Sequence, residues 1–492
     1  MNPTASKTER SHATQNRKLD FVSLLKTISA FLFATTVLTA ATAKAAPLSL
    51  HPDNPHYFLW RGRPTVLITS AEHYGAVMNL DFEYVPYLKE LEARKLNNTR
   101  VFSGSYVEPI GAFKITRNTL APPPGRFIAP WARSSQSGYA NGGNKFDLTR
   151  WDENYFKRLR DFVEQAGRRG VVVEMNLFCS GYEEFDWELS PQNALNNVNG
   201  VGNVARTNVY TLDQNDGLLS VQEAMTRKIV TELNEFDNLY FEICNEPYFG
   251  GVTLEWQHRI ADVIVETERT LPHQHLISQN IANKSEVITK PHPAISIFNF
   301  HYASPPKAVA ENYALNKVIG DNETGFKGTD DMHYRMEAWQ FILAGGALYN
   351  NLDYSFVVGH ERGDFNYPAD QPGGGNPEFR RQMTVLCDFI NSFDFVHMKP
   401  DNGFINSGVP EKMHAYALTK AGQQYAAYFF AEENPAPHSL SLTLDLPAGK
   451  YAIEWLDVVS GKPTKSERVN SPGAITITSP EFQREIALSI RR

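Results

Sequence analysis

Two glutamates stand out by what precedes and follows them. The run Leu239-Tyr240-Phe241-Glu242-Ile243-Cys244 is apolar and β-prone, and it stops at Asn245-Glu246-Pro247-Tyr248. Proline has no amide hydrogen and cannot continue a central strand. Asn245 and Glu246 are therefore predicted to sit at the C-terminal end of a strand. A second run, Lys317-Val318-Ile319-Gly320-Asp321, ends in Asn322-Glu323-Thr324-Gly325 in the same way. Two carboxyl groups facing each other can divide a substitution between them. One protonates a leaving oxygen, and the other attacks the carbon that oxygen departs from. Hydrolysis of a glycosidic bond with retained configuration needs such a pair about 5–5.5 Å apart.

Elements that hold these ends together follow from the alternation around them. Strand-like runs are read at 65–70, 98–103, 170–177, 238–245, 274–280, 295–301, 316–323 and 346–353. Helical periodicity falls between them at 81–95, 152–168, 219–236, 254–270, 330–344 and 377–393, with Asp81 and Asp152 placed as N-caps. Eight strands alternating with helices imply a parallel sheet closed as a (β/α)8 TIM barrel. Glu246 then ends strand four and Glu323 strand seven, at the face where such barrels carry their sites. An open doubly wound sheet competes, but no glycine-rich phosphate loop follows the first strand.

Residues 104–150 and 178–218 are too long to be simple links, and long connections in compact domains are usually functional. The first carries Tyr106, Phe113, Phe127, Trp131 and Tyr139, and the second Tyr182, Phe185 and Trp187. Flat aromatic rings stack on the C–H faces of pyranoses, so Trp131 and Trp187 are counted as substrate-binding, together with Tyr248. Two short β-like runs between Leu48 and Leu67 predict a hairpin before the barrel. Beyond residue 400 the pattern changes to short alternating strands, read as a small C-terminal antiparallel β-sandwich. The expected division is 1–45, 46–402 and 403–492.

The stretch from Leu239 to Tyr248 resembles the signature of glycoside hydrolase family 5, an apolar strand ending in Asn-Glu-Pro. That family belongs to clan A, the retaining (β/α)8 glycosidases. The resemblance runs in order over roughly residues 65–390, with the strand-four and strand-seven motifs its specific parts. It implies that Glu246 is the acid/base, Glu323 the nucleophile, and Asn245 a partner of the sugar's 2-hydroxyl. It further implies that Arg100 lies beside the nucleophile and that His301 and Tyr302 lie near the same carboxylate. No cofactor or metal is implied. Three positions depart from the family: Asn176 stands where it has a strand-three histidine, His301 and Tyr302 are adjacent rather than separated by one residue, and Asn351-Leu352-Asp353-Tyr354 replaces its strand-eight tryptophan. The segment Glu72-His73-Tyr74 is more like that of bacterial cellulase-like relatives. Glu174 and Glu242, also on barrel strands, are read as structural partners of Arg100.

Composition fits this reading. Of 492 residues, 42% are hydrophobic and 21% charged, with a net charge of −8. An acidic chain without basic runs is a poor partner for nucleic acid. Lys18 and Lys26, the apolar run Ile28 to Ala40, and Ala43-Lys44-Ala45 have the order of an export signal. Membrane spanning takes ~20 apolar residues, so the processed protein is expected to be periplasmic or secreted with no anchor, and more acidic still. Three cysteines exclude a disulfide-stapled scaffold, while Cys179 and Cys244 follow consecutive strands and leave one disulfide open. Two rival functions stay open. His73, His301, Asp321 and Asp353 would serve a metal-dependent barrel hydrolase, although His-x-His and His-Glu-x-x-His motifs are missing. A carbohydrate-binding pseudoenzyme would keep the pocket without the chemistry.

Overall fold

The computed structural model describes residues 46–432 and 437–492. The expected export signal lies outside them. Eight parallel strands form the core: β1 (Leu67–Ala71), β2 (Asn98–Phe102), β3 (Val172–Cys179), β4 (Leu239–Asn245), β5 (Ile277–Asn283), β6 (Ile295–His301), β7 (Val318–Thr324) and β8 (Leu348–Leu352). The ladder runs β1-β8-β7-β6-β5-β4-β3-β2. The gap between β1 and β2 is closed by one residue. Asn97 accepts the Ile68 amide on its Oδ1 at 2.9 Å, donates Nδ2 to the Val66 carbonyl at 2.8 Å, and gives its own amide to the Ile68 carbonyl. The fold is a (β/α)8 barrel, and every strand lies where the sequence pattern puts it to within a few residues.

The outer helices are α1 (Tyr84–Ala93), α2 (Glu153–Arg168), α3 (Leu218–Leu233), α4 (Leu254–Glu268), α5 (Lys307–Asn312), α6 (Asp331–Leu343) and α7 (Pro377–Asn391). Asp152 caps α2 by accepting the amides of Asn154 and Tyr155. Asp81 does not cap α1. The N-cap there is Glu83, without a side-chain bond, because Asp81 lies two residues too early and is held by Arg126 instead. Among the described residues no helix is long and apolar enough to cross a membrane.

The hairpin expected before the barrel is a three-stranded antiparallel sheet, Ser49–Leu50, Phe58–Trp60 and Arg63–Thr65. Leu48, Tyr57 and Phe58 enter the barrel core, and Trp60 and Arg61 both bond Asp237 just before β4. This sheet covers the end of the barrel opposite the strand C-termini.

Past α7 a six-stranded antiparallel sheet begins with Lys399–Pro400, a few residues before the expected boundary at 402. It faces a three-stranded sheet of Ile405–Ser407, Ser441–Asp445 and Ala474–Thr478. Strand Gln424–Ala431 is buried on both faces. Tyr425, Ala427 and Phe429 point into the sandwich, and Ala426, Tyr428 and Phe430 join the barrel's core. Trp339 of α6 stacks on Tyr428 with ring centroids 5.5 Å apart. Beside them Arg335 of α6 bonds Glu485 from Nε at 2.9 Å, and Tyr428 gives its hydroxyl to the same carboxylate at 2.6 Å. The sandwich is therefore docked through an apolar face with a buried ion pair inside it. Removing one partner of such a pair strands the other charge, at ~3–5 kcal/mol. Glu485→Ala is expected to lower unfolding stability by about that amount in urea denaturation followed by tryptophan fluorescence. A loss below ~1 kcal/mol would mean the pair behaves as an exposed one.

Candidate active site

Beneath the mouth of the barrel the interior is polar. Arg100, from β2, is fully buried and spends its donors on four groups. Nε reaches Glu174 of β3 at 2.6 Å, Nη2 reaches Glu242 of β4 and Asn245 Oδ1 at 2.7 Å, and Nη1 reaches Glu323 Oε2 at 3.2 Å. Its guanidinium also lies 4.6 Å from the Tyr74 ring centroid. Burial opposes the charge of Arg100, but the carboxylates of Glu242, Glu174 and Glu323 outweigh it and keep the residue cationic. Glu174 is pushed up to about 8, by burial first and by the charge of Glu242 second, against the pull of Arg100. Asn322 Nδ2 bonds both Glu174 (2.8 Å) and Glu242 (3.0 Å), and Tyr240 donates to Glu174 at 2.6 Å. Glu174 and Glu242 are thus saturated from within the floor. Only the third carboxylate, Glu323, opens into the cavity.

Above this floor Glu323 and Glu246 face one another. Glu323 accepts the hydroxyls of Tyr74 (3.0 Å, Oε2) and Tyr302 (2.6 Å, Oε1). Glu246 accepts the hydroxyl of Tyr182 at 2.5 Å, and its Oε1 is 3.2 Å from the hydroxyl of Tyr248, which lies 2.6 Å from Asn283 Oδ1. His301 Nδ1 bridges the pair, 3.2 Å from Glu246 and 3.6 Å from Glu323. Burial alone would raise the Glu246 carboxyl. The hydrogen bond and charge of His301, with the two tyrosine hydroxyls, hold it below the ordinary carboxylate range instead. Burial would strip His301 of its proton, but the charges of Glu323 and Glu246 raise it.

Adjacent residues on a strand face opposite ways, yet His301 and Tyr302 both reach the carboxylates. Tyr302 follows the last residue of β6 and has φ of 53°, a left-handed turn that brings its side chain back over the mouth. The same device recurs at Tyr74 (φ 60°), beside His73, and at Glu246 (φ 43°), beside Asn245. Such conformations cost non-glycine residues ~1–3 kcal/mol each and gather at functional sites.

The cavity over the two glutamates is about 410 Å³. Of the residues singled out in the sequence, Asn245, Glu246, Tyr302 and Glu323 line it, and Arg100, His301 and Tyr248 contact its carboxylates. Asn245 is engaged by Arg100 and gives its amide to Tyr182 at 2.9 Å. The two tryptophans expected at the ligand are elsewhere. Trp131 is fully buried at the base of the hairpin Trp131–Ser137/Asn144–Trp151. Trp187, on a short helix at Glu184–Leu189, is buried with Nε1 donating to the Val204 carbonyl. Both pin their connections to the barrel, since so much flat apolar area gains more inside than at an open rim. The aromatics that do line the cavity are Tyr74, Phe102, Phe113, Tyr182, Phe249, Tyr302 and Phe326. Glu108, His73, Leu120, Leu352, Asn283, Gly325 and the lysines Lys284 and Lys327 complete its walls. Phe249 follows Tyr248 by one residue and Phe326 follows Glu323 by three, and that proximity was the signal available in the sequence. Glu108 carried none beyond its place in a long connection.

The four residues weighed for a metal centre do not come together. Asp353 is locked to Arg380 at 2.6 Å and Ser70 at 2.9 Å, Asp321 accepts the Ala303 amide, and His73 lies on Glu108. Single ligand atoms of Glu246, His301 and Glu323 do fall within 4.8 Å of one another. A second cation there would meet Arg100, already bonded to Glu323, and a raised imidazole.

No family model and no curated protein matches this chain. Solved structures do. A glycoside hydrolase is similar over 91% of this chain and 97% of its own, with a TM-score of 0.60 at 14% identity. A glycoside hydrolase family 5 structure from Bacteroides vulgatus ATCC 8482 is similar over 90% of this chain and 93% of its own, with a TM-score of 0.61 at 13% identity. Spans of that size take in both the barrel and the C-terminal sheets, so the likeness of fold covers the two together.

The three cysteines are free and buried. Cys179 receives the Asn245 amide at 3.5 Å, and Cys179 and Cys244 bond neighbouring carbonyls rather than each other. Burial raises all three thiols first of all, with nearby negative charge adding to it. Thiolate is the reactive form, so a chromogenic disulfide reagent is expected to titrate none of them in the native protein and three after denaturation without reductant. A count of one after denaturation would restore the disulfide.

Proposed function

We propose that the protein is a retaining glycosidase that cleaves β-glycosidic bonds by double displacement, with Glu323 as nucleophile and Glu246 as acid/base. One observation carries the reading: the carboxylate oxygens of Glu246 and Glu323 come within 4.8 Å of each other from the ends of β4 and β7. Inverting enzymes hold their carboxyl groups ~6.5–9.5 Å apart, to admit a water between acid and base. Here there is no room for it. The barrel and sandwich shared with glycoside hydrolases agree with this reading.

In the first step a Glu323 oxygen attacks the anomeric carbon as the bond to the leaving oxygen breaks and Glu246 delivers a proton to that oxygen. In the second, Glu246 takes a proton from water, whose oxygen replaces Glu323 at the same carbon. Arg100 and the hydroxyls of Tyr74 and Tyr302 hold Glu323 aimed. For a β-linked aryl glycoside, NMR within the first turnovers is expected to find the β-anomer of the released sugar. Glu323→Ala is expected to lose at least ~10³-fold in kcat, with azide restoring part of it as the inverted glycosyl azide. The α-anomer first, or near-normal turnover in the variant, would sink the assignment.

The acid form needs one proton on the Glu246–His301 pair. His301 is raised, so the pair keeps its proton as pH climbs past the ordinary imidazole value of ~6.5. Substrate binding then expels water and moves that proton toward Glu246, which burial favours. Without His301 the last proton rests on Glu246 alone. The basic limb of the kcat/KM profile is expected to move to lower pH in His301→Gln, and an unmoved limb would exclude His301 as the store. From the sequence order of its first 45 residues, the enzyme is proposed to work after export, on carbohydrate outside the cytoplasm.

A further inference from the structure

The long connection between β2 and α2 supplies more than packing. Its Glu108 is 4% exposed yet lines the same cavity as the two glutamates of the proposed mechanism. It receives Asn118 Nδ2 and the Tyr106 hydroxyl (3.2 Å), and His73 Nε2 lies 3.4 Å away. The two oxygens of a carboxylate offer about four acceptor positions, so with three partners in place one is left for a ligand. His73, itself 8% exposed, has an Nδ1 that is buried without a partner. Behind it the ring of Tyr354 packs at 5.3 Å, and its buried hydroxyl is also unpartnered. The Tyr354 ring can sit there because residue 373 is glycine, where a Cβ would fall 1.4 Å from it. A histidine with an unpartnered ring nitrogen beside a carboxylate with a spare acceptor position, both lining a cavity, is the equipment of a site for hydroxyl groups.

The position of this cluster decides which hydroxyls. The leaving group must lie on the side of Glu246, where Tyr248, Asn283 and Phe249 are. The remaining portion of the sugar lies against the β1 and β2 ends, where His73 and Glu108 stand. Phe113 closes the rim between these connections. Its ring is 5.5 Å from Tyr182 and 6.4 Å from Phe326, so that the β2–α2 connection reaches both the segment after β3 and the exit of β7. A groove threaded by a polymer needs two open ends, and a cavity of about 410 Å³ with a carboxylate in its wall has the size of a small-molecule pocket.

We propose that Glu108 and His73 form an end wall that recognises the hydroxyls of a terminal sugar, making the enzyme exo-acting from the non-reducing end. This rests on the glycosidase reading above, and its test separates the two. Borohydride-reduced β-linked oligosaccharides would be sized from the first minutes. Monosaccharide, with a chain shorter by one unit, is expected. Internal fragments from the start would overturn the end wall while leaving the glycosidase intact, whereas a folded enzyme that hydrolyses no glycoside would remove both. Glu108→Gln, checked for an unchanged melting curve, is expected to lose about ten- to a hundredfold in kcat/KM on aryl monoglycosides. Across the 3-, 4- and 6-deoxy series that loss should vanish for at least one member, the one missing the hydroxyl that Glu108 binds. An equal loss on every member would make Glu108 structural and end the proposal.

Discussion

Desolvating a guanidinium is the constraint around which the barrel is arranged. An ion of this size loses several kcal/mol of hydration on burial even after relaxation, and Arg100 is fully buried. It is stable only because Glu174, Glu242 and Glu323 surround it, each from a different strand. Three carboxylates around one cation overcompensate it, and burial first, with the charge of Glu242 second, raises Glu174 to about 8. The consequence for chemistry is direct. Glu174 and Glu242 are satisfied inside the floor by asparagine, tyrosine and arginine donors. Glu323 borrows the same cation but keeps its other oxygen toward the cavity. The interaction that makes the floor foldable also fixes the anion above it.

Strands and helices were legible because their patterns are local. β4 and β7 read as apolar runs broken by Asn-Glu, and the pairing of Arg100 with Glu174 and Glu242 followed from their strand positions. What was not legible is the way the chain leaves those strands. Tyr74, Glu246 and Tyr302 each take a left-handed φ just past a strand end. Sequence offers no sign of this when the residue is not glycine, because the tertiary contacts hold it there against its own preference. That is why the adjacency of His301 and Tyr302 reads in the sequence as a departure, while in the structure both side chains reach the carboxylates.

The aromatic residues divide on a different principle. Trp131 and Trp187 were assigned to ligand because large flat rings suit sugars, but the same area drives them into the interior, where their connections need anchors. The rings left at the mouth are phenylalanines and tyrosines next to the strand ends that carry the cavity's polar groups: Phe249 beyond Glu246, Phe326 beyond Glu323, and Tyr182 beyond β3. Their neighbours in sequence are tied to the barrel, so these side chains can remain partly exposed without unfolding the loop that carries them. Burial needs settle the tryptophans before ligand needs are met. A count of aromatics per loop therefore misjudges which ones face the cavity.

Electrostatics set the two facing glutamates apart. With Glu246 and Glu323 both ionised so near to each other, repulsion would push one of them to take a proton. His301 lies between them, 3.2 Å from Glu246 and 3.6 Å from Glu323, and their charges raise its imidazole against the pull of burial. Glu323 meets the guanidinium of Arg100 and the hydroxyls of Tyr74 and Tyr302, while Glu246 meets His301 and the hydroxyls of Tyr182 and Tyr248. Arg100, which bonds Glu323 from the floor, is what gives two chemically identical side chains different surroundings.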